Sequence, residues 1–115
     1  MGVCHFPSFY EAMDAAQHIV TLDPVAVELV DDTMINLAQK IDIFKPTVDA
    51  VVKGKPKSLL LVEFAEENMD ENHRRLKKLH QLMGDLGYSW NKGMRNGGVV
   101  DVIDSDLQSK VSEMR

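Results

Sequence analysis

The residue pair with the clearest metal-binding chemistry is His73 and His80, which lie seven positions apart in a segment of helical periodicity. Seven residues are about two helical turns, so the two rings share a face but stand roughly 10 Å apart. A zinc site needs three or four ligands that converge on one ion. The spacing therefore favours two surface histidines over a metal site.

Two other sequence patterns suggest nucleophilic catalysis or phosphate binding, but each lacks residues that such a site needs. Cys4 and His5 are neighbours, but adjacent residues of a strand point to opposite faces, and no motif supplies a third group to orient them. The G-x-x-x-G-G run at 93–98 has neither the Lys-Ser/Thr ending nor the strand–turn–helix context of a phosphate-binding loop. It predicts a mobile loop or hairpin, and no catalytic residue is assigned in this chain.

Two carboxylates, Glu28 and Glu63, each stand in an otherwise apolar segment that predicts a strand. Burying an unpaired charge is costly, so both need solvent or a partner. In one interpretation they lie at an edge or on an exposed sheet face. In the other, their sheet face covers another domain and meets basic groups there, which would make them interdomain or pocket-facing residues. The sequence leaves both interpretations open.

The elements that position these residues follow from apolar periodicity and from capping and breaking residues. The two carboxylates lie in the second and third predicted strands, and the third is apolar enough to be buried on both faces. The predicted strands are 3–6, 25–30, 58–64 and 99–103, with another opening at 88–90; the predicted helices are 9–22, 32–40, 46–52, 70–86 and 105–115.

The apolar faces of the first two helices can be read from three- and four-residue steps. The predicted stripes are Phe9, Ala12, Met13, Ala16, Ile19 and Val20 in the first helix, and Met34, Leu37, Ala38 and Ile41 in the second. The element order predicts one α+β domain over 1–115, a ferredoxin-like antiparallel sheet with helices packed on one face. The other face would stay open unless another domain covers it.

Composition excludes several classes of function. The formal charge of −5 and the pI near 5.2 would repel nucleic acid and anionic lipid. The single cysteine cannot form an internal disulfide or an iron–sulfur site, so a reducing, cytoplasmic location is expected. No apolar run approaches the roughly 20 residues of a membrane span, and no signal sequence is recognisable.

Three segments carry a family resemblance: G-V-C-H-F-P-S-F-Y-E-A at 2–12, A-V-E-L-V-D at 26–31 and L-L-L-V-E-F at 59–64. Together they resemble the C-terminal domain of FAD-linked oxidases of the D-lactate dehydrogenase and glycolate oxidase type, over about residues 2–90. The resemblance implies a ferredoxin-like domain that covers the flavin and shapes the site for a 2-hydroxy acid such as D-lactate, glycolate or 2-hydroxyglutarate.

The sequence of residues 4–31 is most similar to the long members of this family, in which an iron–sulfur part follows the flavin part. The family's FAD-binding segment, its later His-rich motif and the iron–sulfur cysteines do not occur in this sequence. The resemblance therefore implies an excised fragment, inactive alone, whose partner is the flavin-binding domain of the same polypeptide. FAD and any iron–sulfur clusters would be bound elsewhere in the parent, and Met1 would be an expression start.

The end of the chain, Ser112-Glu113-Met114-Arg115, resembles the tail of the family's Trp-x-x-Arg motif, whose arginine binds the substrate carboxylate. Arg115 would be that arginine, although Val111 or Ser112 stands where a tryptophan is common. A guanidinium donates two parallel hydrogen bonds to a carboxylate. The alternative to this reading of the chain is a free-standing ferredoxin-like regulatory or ligand-binding module that associates through its open sheet face.

Overall fold

The computed structural model describes residues 1–64, 68–90 and 97–114, without the side chain of Met114. Strands and helices alternate along these residues in the predicted order. In chain order the elements are β1 (Gly2–Phe6), α1 (Phe9–Ile19), a 3₁₀ turn (Val20–Leu22), β2 (Ala26–Asp31), α2 (Asp32–Gln39), α3 (Lys45–Val51), β3 (Ser58–Glu63), α4 (Met69–Asp85), β4 (Gly98–Asp101) and α5 (Ser105–Met114).

The four strands form one antiparallel sheet in the order β2-β3-β1-β4. The two strands with the most continuous burial, β1 and β3, occupy its centre, with Cys4 opposite Leu60. This order is that of the split β-α-β arrangement, because β3 inserts between the first two strands of the chain. The predicted α+β class and antiparallel sheet are confirmed.

Local side-chain chemistry fixes where the helices begin and end. The hydroxyl of Ser8 accepts a hydrogen bond from the backbone N–H of Glu11 at the start of α1, and a carboxylate oxygen of Asp31 accepts one from Met34 at the start of α2. Both contacts satisfy amides that the first helical turn leaves unpaired. Gly87 follows α4 with a φ of 97°, a conformation that favours glycine.

Each face of the sheet has its own apolar core, because strand side chains alternate. Cys4, Phe6, Leu60 and Val62 face α1 and α4, whose Leu79 and Met83 are fully buried; this is the α1/α4 face. The opposite face packs against α2, α3 and α5, and is called here the α2/α3/α5 face. Its core consists of Met1, Val3, Ile35, Val48, Val51, Leu59, Leu61, Val102 and Val111.

The second core differs from the expectation of helices on one face and an open face opposite. The helices between β2 and β3, together with the final helix, pack on the face that was expected to be free. The apolar periodicity of a helix does not say which side of the sheet the helix covers. The sheet face that would have been open for self-association is therefore covered by helices of the same chain.

The apolar stripes of α1 and α2 are rotated from their predicted positions. In α1 the buried side chains are Ala12, Ala15 and Ile19, while Phe9, Met13 and Val20 are exposed. In α2 the buried side chain is Ile35, while Met34, Leu37 and Ile41 are exposed. The small side chains that α1 turns toward the sheet let this helix approach closely. The Asp31 cap fixes the direction in which α2 continues from β2.

The strand predicted to open at Tyr88–Trp90 does not form, and these residues are irregular. Tyr88 instead turns its ring edge-on to Phe6, with 5.0 Å between ring centres, and its hydroxyl donates to a carboxylate oxygen of Glu11. The aromatic side chain thereby ties the end of α4 to β1 and α1. Residues 91–96, within the loop predicted at 91–98, lie outside the described residues.

We expect the replacement of two serines by alanine to change the free energy of unfolding in different ways. Ser58 is fully buried, and its hydroxyl is the buried side-chain polar atom that finds no partner in the described part of the chain. We expect Ser58→Ala to leave the free energy of unfolding unchanged or raise it by about 1 kcal/mol, because it removes an unsatisfied group. Ser8→Ala removes a helix cap and should lower the free energy of unfolding by about 1 kcal/mol. Urea denaturation of both variants checks this, and a loss in Ser58→Ala as large as in Ser8→Ala would contradict it.

Candidate functional site

Glu28 and Glu63 lie on the same face of the sheet. Glu28 is opposite Leu61 and Glu63 is opposite Ala26 in the β2–β3 register, so the two carboxylates occupy diagonal positions on the α2/α3/α5 face. Diagonal neighbours of this kind have side-chain origins roughly 7–8 Å apart. Both side chains are half-buried. Their proposed role as interdomain or pocket-facing residues stays a prediction.

Glu28 borders an apolar groove of about 130 Å³ between the edge strand β2 and the helices of the same face. Apart from Glu28, the groove is lined by apolar side chains, which include Leu29, Met34 and Val48. Leu29 and Met34 are 36% and 45% exposed, so apolar surface continues outside the groove. The groove joins an acidic group to an apolar wall at one edge of the sheet.

The Cys4–His5 pair has no nucleophilic character in this fold. Burial raises the pKa of the Cys4 thiol, so the reactive thiolate is disfavoured. The His5 ring is 1% exposed, and both its nitrogens are engaged: Nδ1 donates to the carbonyl of Val3 at 2.9 Å, and Nε2 accepts from the backbone N–H of Lys53 at 3.0 Å. Burial lowers the pKa of His5 to about 4, so the ring is a neutral structural group.

A second cavity, of about 470 Å³, was not recognised from the sequence; it is called here the basic pocket. It lies where the α3–β3 connection passes the residues after α4. Three lysines and one tryptophan are its distinctive members. The described lining consists of His5, Phe6, Pro7, Lys53, Gly54, Lys55, Pro56, Lys57, Ser89, Trp90 and Gly97.

Trp90 is held as a fixed wall of the basic pocket. Its indole Nε1 donates to the carbonyl of Val99 at 3.0 Å, and its ring meets His5 edge-on at 5.0 Å between centres. The ammonium of Lys53 lies 4.7 Å from the ring centre, a cation–π distance. Gly98 is required beneath the ring, because a Cβ there would stand 2.6 Å from indole carbons.

The K-G-K-P-K pattern at 53–57 was the signal that could have revealed this pocket. Three lysines that alternate with the breakers Gly54 and Pro56 indicate a short basic loop. The spacing of residues in the sequence does not predict that Trp90 contacts this loop, because the contact depends on the path of the chain after α4. The pocket is therefore a product of tertiary packing.

The histidines of α4 belong to no cluster of metal-binding side chains among the described residues. The Nε2 of His80 lies 2.7 Å from a carboxylate oxygen of Asp101 on β4, and both side chains are partly exposed. Within the described residues no group of three or more histidine, cysteine or acidic side chains could hold an ion. Arg115, predicted to bind a substrate carboxylate, lies outside the described residues.

Comparison with known families identifies the domain. The model of the family described as FAD linked oxidases, C-terminal domain, matches residues 1–91 of the 115. The chain belongs to this family. No curated protein and no solved structure gives a significant match.

Membership of the FAD-linked oxidase C-terminal family makes this domain part of an FAD-linked oxidoreductase. FAD is then a cofactor of the parent protein, and a flavin-binding domain is its partner. In the described segments, no helix has both the length and the apolar character to cross a bilayer.

The apolar groove and the basic pocket are two separate cavities of the described residues. The apolar groove, at about 130 Å³, is below the roughly 300–1,000 Å³ of pockets that hold drug-sized ligands. The basic pocket, at about 470 Å³, lies within that range, and it shares no lining residue with the apolar groove. These surfaces offer local contacts for part of a ligand or for another domain.

Proposed function

We propose that this chain is the substrate-side cap of an FAD-dependent dehydrogenase that acts on a 2-hydroxy acid such as D-lactate, glycolate or 2-hydroxyglutarate. The family match over residues 1–91 carries this proposal. The redox chemistry belongs to the flavin of the parent protein. The cap orients the substrate, excludes water and forms part of the pocket wall, and it has no redox activity alone.

The described surface supports a domain that is covered on one side in its parent protein. Glu28 and Glu63 share a face, and Glu28 borders the apolar groove. The neighbouring Leu37 is 53% exposed, and Ile43 is 75% exposed. A covering flavin domain would bury this apolar surface.

Arg115 is the proposed partner of the substrate carboxylate. A lysine keeps the charge but loses the planar fork, so we expect Arg115→Lys in the parent protein to raise KM for the hydroxy acid by about tenfold or more. The measurement is dye reduction at varied hydroxy-acid concentration. Arg74→Lys, at an exposed position on α4, is the matched control. An unchanged KM in Arg115→Lys would remove Arg115 from the site without affecting the family assignment.

The substrate class is tested by a dye-reduction panel with the full-length parent protein. The expected result is reduction with at least one of D-lactate, glycolate and D-2-hydroxyglutarate, and none with matched 3-hydroxy acids. A flavin-containing parent that oxidises none of the 2-hydroxy acids would refute the substrate class. Iron analysis of the same sample tests the iron–sulfur part that we propose for the parent. We also propose a cytoplasmic location, because this chain has one cysteine, which forms no disulfide.

A further inference from the structure

The basic pocket concentrates positive charge in an acidic chain. The formal charge of the protein is −5, yet Lys53, Lys55 and Lys57 line one cavity whose described lining contains no carboxylate. Like charges held close together repel unless an anion joins them. A cavity of one sign attracts oppositely charged ligands from solution.

Two arginines on α4 are neutralised more closely than the lysines of the basic pocket. On α4, Arg74 and Arg75 donate to the carboxylate of Glu71 at 2.7 and 3.2 Å. At the basic pocket, the Lys57 ammonium is 3.5 Å from a carboxylate oxygen of Asp32, and both side chains are largely exposed. Exposed pairs of this kind contribute little, so Lys57 can exchange this partner for a bound anion.

The three lysines lie on the short connection that follows α3. Val52 leaves α3 in an extended conformation, with φ of −106° and ψ of 122°. Gly54 follows with φ of 72°, and a Cβ at this position would meet nothing within 4 Å, so the loop is open to a ligand. On the other side of the cavity Trp90 is fixed by its hydrogen bond to Val99. The cavity thus has a rigid wall opposite an accessible basic loop.

The type of cation indicates the type of anion. The cations that the described lining supplies are lysines. Lysine ammonium groups act as point charges that suit the several oxygens and higher charge of phosphate. We propose that the basic pocket binds a phosphate group. This inference does not rest on the proposed function, and either can fail alone.

Trp90 allows a direct test, because it is the single tryptophan of the chain and lies in the pocket. The 115-residue protein is titrated with inorganic phosphate while sodium chloride keeps the ionic strength constant, and tryptophan emission is recorded. The expected result is a saturable change in emission. Titration with ADP separates the sources: tighter binding than inorganic phosphate indicates a nucleotide, and equal binding indicates a free phosphate group.

Charge-matched variants distinguish a site from general electrostatics. The site variant is K53Q/K55Q/K57Q, and the control is K40Q/K77Q/K110Q, which removes three exposed lysines outside the pocket. The single change Lys55→Gln should weaken phosphate binding about tenfold, the triple site variant should abolish saturation, and the control should bind as the wild type does. Far-ultraviolet circular dichroism verifies that each variant is folded.

Three outcomes would overturn the phosphate site. The wild type could show no saturable change, the control variant could lose binding as much as the site variant, or D-lactate could compete as effectively as phosphate. The last result would assign the pocket to carboxylates. None of these outcomes bears on the flavin content or dye reduction of the parent protein, so the two proposals are tested separately.

Discussion

Replacing Leu79 by alanine is expected to lower the free energy of unfolding of the isolated chain by about 2–5 kcal/mol. Leu79 is fully buried at the centre of α4, on the α1/α4 face. One of its methyl groups fills the space over Gly2 of β1, where an added Cβ would stand only 2.5 Å away. Truncation leaves a cavity between helix and sheet that the strand backbone cannot fill. Urea denaturation followed by circular dichroism measures the loss.

Leu37→Ala is the matched control for this substitution. Leu37 lies on α2 and is 53% exposed, so the same truncation should change the free energy of unfolding by no more than about 0.5 kcal/mol in the isolated chain. Similar losses in the two variants would contradict the packing of α4 and the rotation of α2 described above. A larger effect of Leu37→Ala in the parent protein would place α2 against another domain.

Because of the buried His5 ring, we expect the protein to lose stability in mild acid. Its pKa is lowered from 6.5 to about 4 in the folded protein, mainly by burial, so between these values the unfolded chain binds a proton that the folded chain does not. Stability is therefore independent of this group above pH 6.5 and falls as the pH drops toward 4. The loss attributable to His5 is about 3 kcal/mol, from 1.36 kcal/mol per unit of pKa difference.

The contribution of His5 is separated from that of the carboxylates by comparing variants. Denaturant midpoints are measured between pH 7 and pH 4 for the wild type, His5→Gln and His18→Gln, since His18 is exposed. The wild type and His18→Gln should lose stability in parallel, and His5→Gln should lose about 3 kcal/mol less over this range. A parallel decline in all three proteins would show that His5 is not the titrating group.

Much of the fold could be predicted because its signals are local. The apolar run at 58–64, the Ser8 capping box and Gly87 at the end of α4 each act within a few residues of where they occur. These features require only the geometry of the chain itself.

The features that were missed depend on contacts between distant segments. Helical periodicity gives an apolar stripe but not its final rotation, so Ile35 rather than Met34 points into the core. It also does not say that α2, α3 and α5 cover the second sheet face. The basic pocket forms because Trp90 crosses to the Lys53 loop, a contact that no spacing in the sequence encodes. The proposed role of Arg115 stays a prediction.

The most direct test of the cap proposal is to purify the full-length parent protein beside the 115-residue chain and record flavin absorbance and hydroxy-acid-dependent dye reduction for both. We expect a yellow parent that reduces dye with a 2-hydroxy acid, and a colourless, inactive isolated domain. A parent without bound flavin, or an isolated domain that binds FAD tightly and reduces dye by itself, would contradict it.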